Sequence, residues 1–257
     1  MNEQASDAAP RAAEPPVPPA PEDADTGFFS EVFEFAKAVG WAVGIAIFLR
    51  SFALEAYKIP SGSMIPTLEI GDHIFVNKSI YGFQIPLTTK KVLMWRNPHR
   101  GEVIVFKNPR DVDQDYIKRV IGEPGDRIDM RGEDLYVNDR KQEADVLKEV
   151  EVYNDGCYPS RVRLYEEHLD TGVSHARIEV LGGGGSHYGD GPWIVPEGNL
   201  FVMGDNRDNS ADSRAGYYVP MSFVKGKAMF VWLSWDSCGS WWPFQKIHFN
   251  RMGEKVR

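Results

Sequence analysis

The stretch PSGSMIPTL, residues 60–68, follows directly on the only long apolar run in the chain. Gly62 lies between two serines, Ser61 and Ser63, and lets the backbone bend without a Cβ clash. Prolines at both ends of the stretch fix φ and keep it from continuing a helix. The pattern predicts a loop that holds a serine hydroxyl toward a substrate. A hydroxyl becomes a nucleophile only beside a base, which has to come from elsewhere in the chain.

The apolar run before this loop covers residues 28–57. Its uncharged centre, residues 38–49, has 12 residues, whereas a helix that crosses a membrane needs about 20. Lys37 and Arg50 flank the centre and can extend their charged groups to a membrane surface, so we interpret residues 35–54 as a span. A buried or amphipathic surface helix is the alternative. Positive charges on both sides of the run do not indicate its orientation.

Most of the net charge of −8 lies in the first 26 residues, which hold six acidic residues and one basic residue. Six of the 17 prolines are also there, and this composition predicts a disordered tail. The rest of the chain is close to neutral and has no basic stripe. We therefore expect no nucleic-acid partner.

The two cysteines, Cys157 and Cys238, do not form a CxxC motif, which argues against a zinc ribbon and a thioredoxin motif. The two thiols can pair if this part of the chain is exported. Two unpaired thiols are the alternative, and the sequence leaves both open. It predicts neither a metal site nor a cofactor.

From Gly71 onward, short β-rich runs alternate with turns. The predicted strands are residues 73–76, 102–106, 116–121, 127–130, 135–137, 200–203 and 228–233. Residues 139–190 are less regular, and the glycines at 182–185 form a flexible break. The expected fold class is therefore mostly β behind one N-terminal helix.

The same patterns predict the organisation of the chain. The expected parts are a disordered tail at 1–26, a transmembrane anchor at 27–56 and a β domain at 57–257. Within the β domain, we expect a less regular inserted subdomain at about 139–197.

Histidine chemistry has no local signature in this sequence. The six histidines are scattered, and neither HExxH nor GxSxG occurs. A Ser-His-Asp triad stays open, because the members of a triad meet only in space.

Two short segments match known functional motifs only in part, and neither match supports a function. Residues 111–115, DVDQD, resemble the start of a calcium loop, but Tyr116 occupies the position that requires glycine. We interpret these residues as an acidic turn before a strand. Residues 222–225 match SxxK, but no SDN or KTG motif accompanies them.

Lys118 is a candidate base. In a strand, Tyr116 and Lys118 share one face while Ile117 and Arg119 share the other, so one of the two basic side chains points toward apolar neighbours. Desolvation drives a buried lysine toward its neutral form, which can accept a proton. A surface charge is the alternative.

Residues 204–214, GDNRDNSADSR, follow an apolar strand and are rich in turn formers and opposite charges. They predict either a solvated loop held by ion pairs or a set of side chains that supports a functional site.

Several blocks of the sequence, in this order, resemble the type I signal peptidases. The blocks cover roughly residues 55–235 and are Ser61-Gly62-Ser63-Met64-x-Pro66-Thr67-Leu68, Gly71-Asp72, Tyr81-Gly82, Gly101-Glu102-Val103-Ile104-Val105-Phe106, Asp115-Tyr116-Ile117-Lys118-Arg119, Gly122-x-Pro124-Gly125-Asp126 and Gly204-Asp205-Asn206-Arg207-Asp208-Asn209-Ser210-x-Asp212-Ser213-Arg214. The resemblance implies a coiled antiparallel β-sheet catalytic domain on a membrane anchor.

The resemblance also implies roles for individual residues. Ser63 corresponds to the nucleophile and Lys118 to the general base, while the Ser63 N–H and the Ser61 hydroxyl form the oxyanion hole. Ser210 corresponds to a residue that orients the lysine amine. Ion-pairing positions around the site are Arg119, Asp205, Asp212 and Arg214. Positions that form small apolar pockets for substrate residues P1 and P3 are Tyr57, Ile59, Pro60, Met64, Leu68, Tyr116 and Ile117.

The implied activity is a serine endopeptidase that removes N-terminal signal peptides from exported preproteins, after small residues at P1 and P3. The implied partners are these signal peptides and the lipid bilayer. The implied location is the plasma (inner) membrane of a bacterium, with one span and an extracytoplasmic catalytic domain, and we expect a monomer. Two alternatives stay open. One is a soluble, LexA-like self-cleaving regulator, and the other is a membrane-anchored β module that only binds partners.

Overall fold

The computed structural model describes residues 25–52, 54–84, 91–153, 158–182, 189, 191–235 and 247–257. The chain divides into two compact units, Met1–Ala46 and Ile47–Arg257. The predicted tail lies almost entirely outside the described residues. Both cysteines, Cys157 and Cys238, also lie outside them, so the question of whether they pair stays open.

One α-helix, α1, begins at Asp25 and ends at Phe52. Ser30 to Ile45 are exposed along this helix, including its large apolar side chains Phe33, Phe35 and Trp41. Among the helices that the structure describes, none combines the length and the apolar character needed to cross a membrane.

Most of the other described residues belong to β-strands. The strands are β1 Leu54–Lys58, β2 Asp72–Asn77, β3 Gly82–Gln84, β4 Lys91–Met94, β5 Val103–Asn108, β6 Asp111–Gly122, β7 Arg127–Arg131, β8 Asp134–Val137, β9 Arg140–Lys141, β10 Glu143–Tyr153, β11 Pro159–His168, β12 Ser174–Val180, β13 Trp193–Ile194, β14 Asn199–Met203, β15 Val219–Pro220 and β16 Val224–Ser234. All seven predicted strands are confirmed. The mostly β class is confirmed as well.

The strands form four sheets. The largest has seven strands in the order β1-β2-β16-β5-β6-β14-β15, and the others have the orders β10-β11-β12, β13-β7-β8-β9 and β3-β4. The pairings between these strands are antiparallel. In the large sheet, β6 lies between β5 and β14. Lys118 is opposite Ile104 of β5, whereas the pairing of β6 with β14 covers residues 119–122.

An apolar cluster lies beneath the 60–68 stretch. Met64 and Leu68 are fully buried and pack with Ile59, Val103 and Ile117. Full burial of a large apolar side chain stabilises the fold by about 1.5 to 3 kcal/mol. The stretch is therefore fixed to the sheet on both sides of Ser63.

The expectation that residues 139–190 are less regular is wrong for most of this range, while their role as an inserted subdomain stays a prediction. Strands β10, β11 and β12 form a three-stranded sheet, with 11 residues in β10 and 10 in β11. Most of β10 is exposed. An outer strand of this kind has only a weak apolar pattern, which explains why it was missed.

The prediction of an acidic turn at residues 111–115 is also wrong. Strand β6 begins at Asp111, and Asp115 lies opposite Lys107 of β5. The turn falls at residues 109–110, before the acidic residues. Polar residues are tolerated in this part of the strand because it is exposed to solvent.

Candidate active site

Ser63 lies in a single turn of 3₁₀ helix, Gly62–Met64, and its side chain is largely buried. The turn is held from a distant part of the chain. Asn206 donates its backbone N–H to Ser63 O over 3.1 Å and its Nδ2 to Gly62 O over 3.0 Å. The backbone around Ser63 is therefore fixed from the side of the 204–214 segment.

Lys118 reaches Ser63 from strand β6. Its Nζ lies 2.6 Å from Ser63 Oγ and donates to Ile117 O over 2.9 Å. Nζ is also 5.5 Å from the centre of the Tyr116 ring. Only 4% of Lys118 is exposed, so the alternative of a surface charge is wrong. Burial removes water from the amine, which disfavours the charged form of a lysine.

A second hydroxyl lies beside Ser63. Ser61 Oγ is 3.4 Å from Ser63 Oγ, at the outer limit of a hydrogen bond. Ser61 also lines the same cavity as Ser63. The structure thus brings together the residues predicted for nucleophile, base and oxyanion hole.

Ser210 does not make the hydrogen bond to Lys118 that the family resemblance implies. It is buried, but among the described residues its Oγ has no hydrogen-bond partner. Its neighbour is Gly204, where an added Cβ would lie 2.2 Å from Ser210 Oγ and 2.5 Å from Ser63 O. Ser210 therefore lies close to the Ser63 backbone, and its role toward Lys118 stays a prediction.

Arg119 and Asp205 form a fully buried ion pair behind the site. Arg119 Nε and Nη2 donate to the two Asp205 oxygens over 2.8 and 2.6 Å. Thr67 Oγ1 donates to Asp205 Oδ2 over 2.5 Å. The strand that carries Lys118 is thereby connected to the 60–68 stretch through Asp205.

Asp212 and Arg214 form a second pair within the 204–214 segment. Asp212 accepts from Arg214 Nε and Nη2 over 2.9 and 2.8 Å, and from the Gly204 N–H over 3.0 Å. Arg214 Nη2 also donates to Arg207 O over 2.6 Å. These bonds fold the segment back on itself and fix Gly204 next to Ser63.

A cluster of buried charges from the three-stranded sheet supports the same segment. Glu167 of β11 accepts from Arg207 through both of its oxygens. His175 of β12 lies 3.4 Å from Glu167 and 3.7 Å from Asp205. Burial, together with Arg119, Arg207 and Arg177, holds the pKa of His175 well below its usual value. Glu167, Arg177 and His175 have no local signal in the sequence, because the pattern of residues 139–190 is less regular.

Ser63 and Lys118 open into a cavity of about 520 Å³. The cavity is lined by Pro60, Ser61, Ser63, Gln114, Asp115, Tyr116, Ile117, Lys118, Asn209 and Ala211. Three of the seven predicted pocket residues line it, namely Pro60, Tyr116 and Ile117. The other four do not: Ile59, Met64 and Leu68 are buried in the apolar cluster beneath, and the partly buried Tyr57 packs against that cluster.

Comparisons of the chain with a family model and with curated proteins both match signal peptidases. A family model described as signal peptidase, peptidase S26, matches residues 32–235. Signal peptidase I of Pseudomonas fluorescens is 39% identical over 221 residues, which cover 79% of this chain and 72% of the relative. Signal peptidase I of Pseudomonas aeruginosa is 40% identical over 218 residues, with the same two coverages.

A solved structure of a signal peptidase I from Enterococcus faecalis is also similar in sequence. It is 26% identical, and the match covers 51% of this chain and 97% of that one. The TM-score is 0.31, which supports no statement about the fold.

The family match and the relatives define a hydrolase, and specifically a serine peptidase. The chain belongs to the signal peptidase family, peptidase S26.

Proposed function

We propose that the protein removes N-terminal signal peptides from exported preproteins, with Ser63 as the nucleophile and Lys118 as the general base. The observation that carries the proposal is the 2.6 Å distance between Lys118 Nζ and Ser63 Oγ inside a cavity. This distance lies within the hydrogen-bonding range that direct proton transfer requires. The names of the relatives support the choice of substrate.

Bond cleavage begins when the neutral Lys118 amine takes the Ser63 proton and Oγ attacks the carbonyl carbon of the scissile peptide bond. The resulting ammonium group gives this proton to the leaving amine as the C–N bond breaks. The remaining acyl group is bound to Ser63 as an ester. A water molecule, deprotonated by the same amine, then attacks the ester, which releases the acid and restores Ser63.

Negative charge develops on the carbonyl oxygen during both steps. The Ser63 N–H and the Ser61 hydroxyl are the proposed donors to this oxygen, and the proximity of the two side chains supports the assignment. Removal of a single donor of this kind costs about a hundredfold to a thousandfold in kcat in a well-studied serine protease.

We propose that the substrate binds as an extended strand along β6, with small residues at P1 and P3. Beyond Lys118, β6 contributes four consecutive residues to the cavity wall, residues 114–117. An extended peptide can pair with a strand through main-chain hydrogen bonds while alternate side chains enter pockets. Pro60, Tyr116 and Ile117 are the proposed contacts for these side chains.

We also propose that residues 27–56 anchor the protein in the plasma membrane of a bacterium and that the catalytic domain, residues 57–257, acts as a monomer on the extracytoplasmic side. Exposed apolar side chains on α1 support the anchor. The full-length protein should sediment with membranes, and a variant without residues 27–56 should not. Recovery of the full-length protein in the soluble fraction would contradict the anchor but not the chemistry.

Cleavage of a purified preprotein tests the catalytic pair. Ser63→Ala and Lys118→Ala should each reduce kcat by at least about a thousandfold, because each removes one member of the pair. Ser222→Ala and Lys148→Ala are matched controls at exposed positions, and both should cleave at the wild-type rate. Full cleavage by either variant of the pair would disprove the assignment.

A further inference from the structure

The cavity that holds the catalytic pair extends along β6 to an acidic side chain. Asp115 lines the same cavity as Ser63 and Lys118, and it precedes Lys118 by three residues. Three residues of a strand span about 10 Å. A substrate bound as an extended strand therefore has a side chain near Asp115, roughly three residues away from the scissile bond.

Asp115 is paired with a lysine from another strand. Lys225 Nζ of β16 lies 2.6 Å from Asp115 Oδ2, and the side chains of the two residues are 23% and 29% exposed. In the sheet, β5 separates β16 from β6. Lys225 therefore reaches across a strand to neutralise a carboxylate at the rim of the cavity.

Near Lys225, further charged side chains lie at β1, the edge strand of the large sheet. Lys225 Nζ lies 5.8 Å from the centre of the Tyr57 ring. The Tyr57 hydroxyl donates to Glu55 over 2.9 Å, and Glu55 lies 3.3 Å from Lys78. Two cations and two carboxylates thus alternate from Lys78, which follows β2, to Asp115 of β6, and together they carry no net charge.

We propose that the Asp115–Lys225 pair determines the charge preference of the substrate side chain that lies beside Asp115. This inference rests on the proposed function and adds one specificity determinant to it. The paired, neutral rim favours an uncharged residue. Without Lys225, the rim carries the negative charge of Asp115 and favours a basic residue, whereas without Asp115 it carries the positive charge of Lys225 and favours an acidic one.

If the Asp115–Lys225 pair had only a structural role, its removal would leave the charge preference for the substrate side chain unchanged. A partly exposed ion pair contributes little to stability, because water screens it and ordering the two side chains costs entropy. Its charges still act on a third charge nearby, since Coulomb interactions at the surface reach over several ångström. Substrate preference is therefore the property that separates the two roles.

The test uses signal peptides that differ only by Lys or Glu at P2 or at P4, the two of the four positions before the scissile bond where the proposed function does not require a small residue. For each enzyme, kcat/KM of the Lys peptide is divided by that of the Glu peptide, so a general loss of activity cancels. Lys225→Met should raise this ratio about threefold to tenfold at one position. Asp115→Asn should lower it to a similar extent at the same position.

Two controls complete the experiment. The double variant Asp115→Asn with Lys225→Met should return the ratio to that of the wild type. Lys227→Met is the matched control, because Lys227 lies on the same strand but pairs with Glu102, and its ratio should equal that of the wild type. The shifts should shrink in high salt, which screens exposed charges.

The outcomes separate this inference from the proposed function. If the wild-type protein cleaves no signal peptide, the proposed function fails. If it cleaves them but all variants have the wild-type ratio at every position, the proposed function stands and the inference about Asp115 and Lys225 is wrong. Lys225→Met changes a partly exposed side chain and serves as the decisive variant if Asp115→Asn does not fold.

Discussion

Gly204 lies where the 204–214 segment comes closest to the proposed nucleophile. Its N–H donates to Asp212 Oδ2 over 3.0 Å. A Cβ at this position would lie 2.2 Å from Ser210 Oγ and 2.5 Å from Ser63 O. The second of these atoms belongs to the backbone and cannot rotate away. The absence of a side chain at 204 is therefore a requirement of the site.

We expect Gly204→Ala to reduce cleavage strongly, by about a hundredfold or more, because a displacement of about 1 Å at Ser63 costs this much in rate. The measurement is kcat/KM on a preprotein, together with a thermal unfolding curve. Gly216→Ala is a control for the loss of a glycine, since a Cβ there meets no atom within 4 Å, although its φ of 87° adds some strain. If Gly204→Ala has the wild-type kcat/KM, the close approach of residue 204 to Ser63 O does not matter for cleavage.

At the level of single residues, the sequence identified candidates but could not show which of them meet. Ser63 and Lys118 were predicted from their motifs, and the structure brings their side chains together across 55 residues of sequence. Gln114 and Asn209 line the cavity without any local signal. Polar residues in a loop or at a strand end have many uses, and only the folded sheet shows which of them face the cavity.

The three-stranded sheet, β10 to β12, is the element that connects a poorly predicted part of the chain to the site. Glu167 on β11 is fully buried and accepts from both terminal nitrogens of Arg207. Arg207 precedes Ser210 by three residues, and its carbonyl accepts from Arg214. The sheet thus supports the 204–214 segment through this carboxylate and through backbone hydrogen bonds of Ile178 on β12 with Asp205 and Arg207.

We expect Glu167→Gln to destabilise the protein by about 3 to 5 kcal/mol, because it leaves the Arg207 charge buried without its carboxylate partner. The measurement is the free energy of unfolding in urea. Glu166→Gln is the matched control, since the neighbouring carboxylate is exposed, and its effect should stay within about 0.5 kcal/mol. If both variants lose a similar amount of unfolding free energy, the buried Glu167–Arg207 pair is not the cause of the loss.

At the level of elements, prediction succeeded where strands are strongly apolar and failed where they are not. Residues 103–106 of β5 are buried and were predicted from composition alone. Strand β10 contains five charged residues among 11 and faces mostly solvent. Its cross-strand neighbours on β11 stabilise it, and these neighbours are not evident from a local window of sequence.

At the scale of the whole molecule, the buried charges between the sheets respond to pH. His175 lies near the carboxylates of Glu167 and Asp205 and near three arginines, Arg119, Arg177 and Arg207. Its side chain is fully buried, and both ring nitrogens are without a hydrogen-bond partner in the described part of the chain. Burial is the largest cause of its lowered pKa, followed by Arg119.

We expect the protein to lose stability as the pH falls below about 6.5, because His175 takes up a proton only when the chain unfolds. The unfolded chain then binds a proton at this histidine while the folded chain does not, so each pH unit costs up to about 1.4 kcal/mol. Unfolding in urea at pH 7.5 and 5.5 measures this loss. His175→Gln should show a smaller loss than the wild type, and an equal loss in both proteins would contradict the expectation.

The proposed catalytic site is assembled from segments that are far apart in sequence. Asn206 holds the carbonyls of Gly62 and Ser63 across more than 140 residues, and Thr67 is bonded to Asp205 across 138. While the chain is being synthesised on a ribosome, the nucleophile emerges long before the groups that fix it in place. We therefore expect the nascent protease to be inactive until residues 204–214 have been translated.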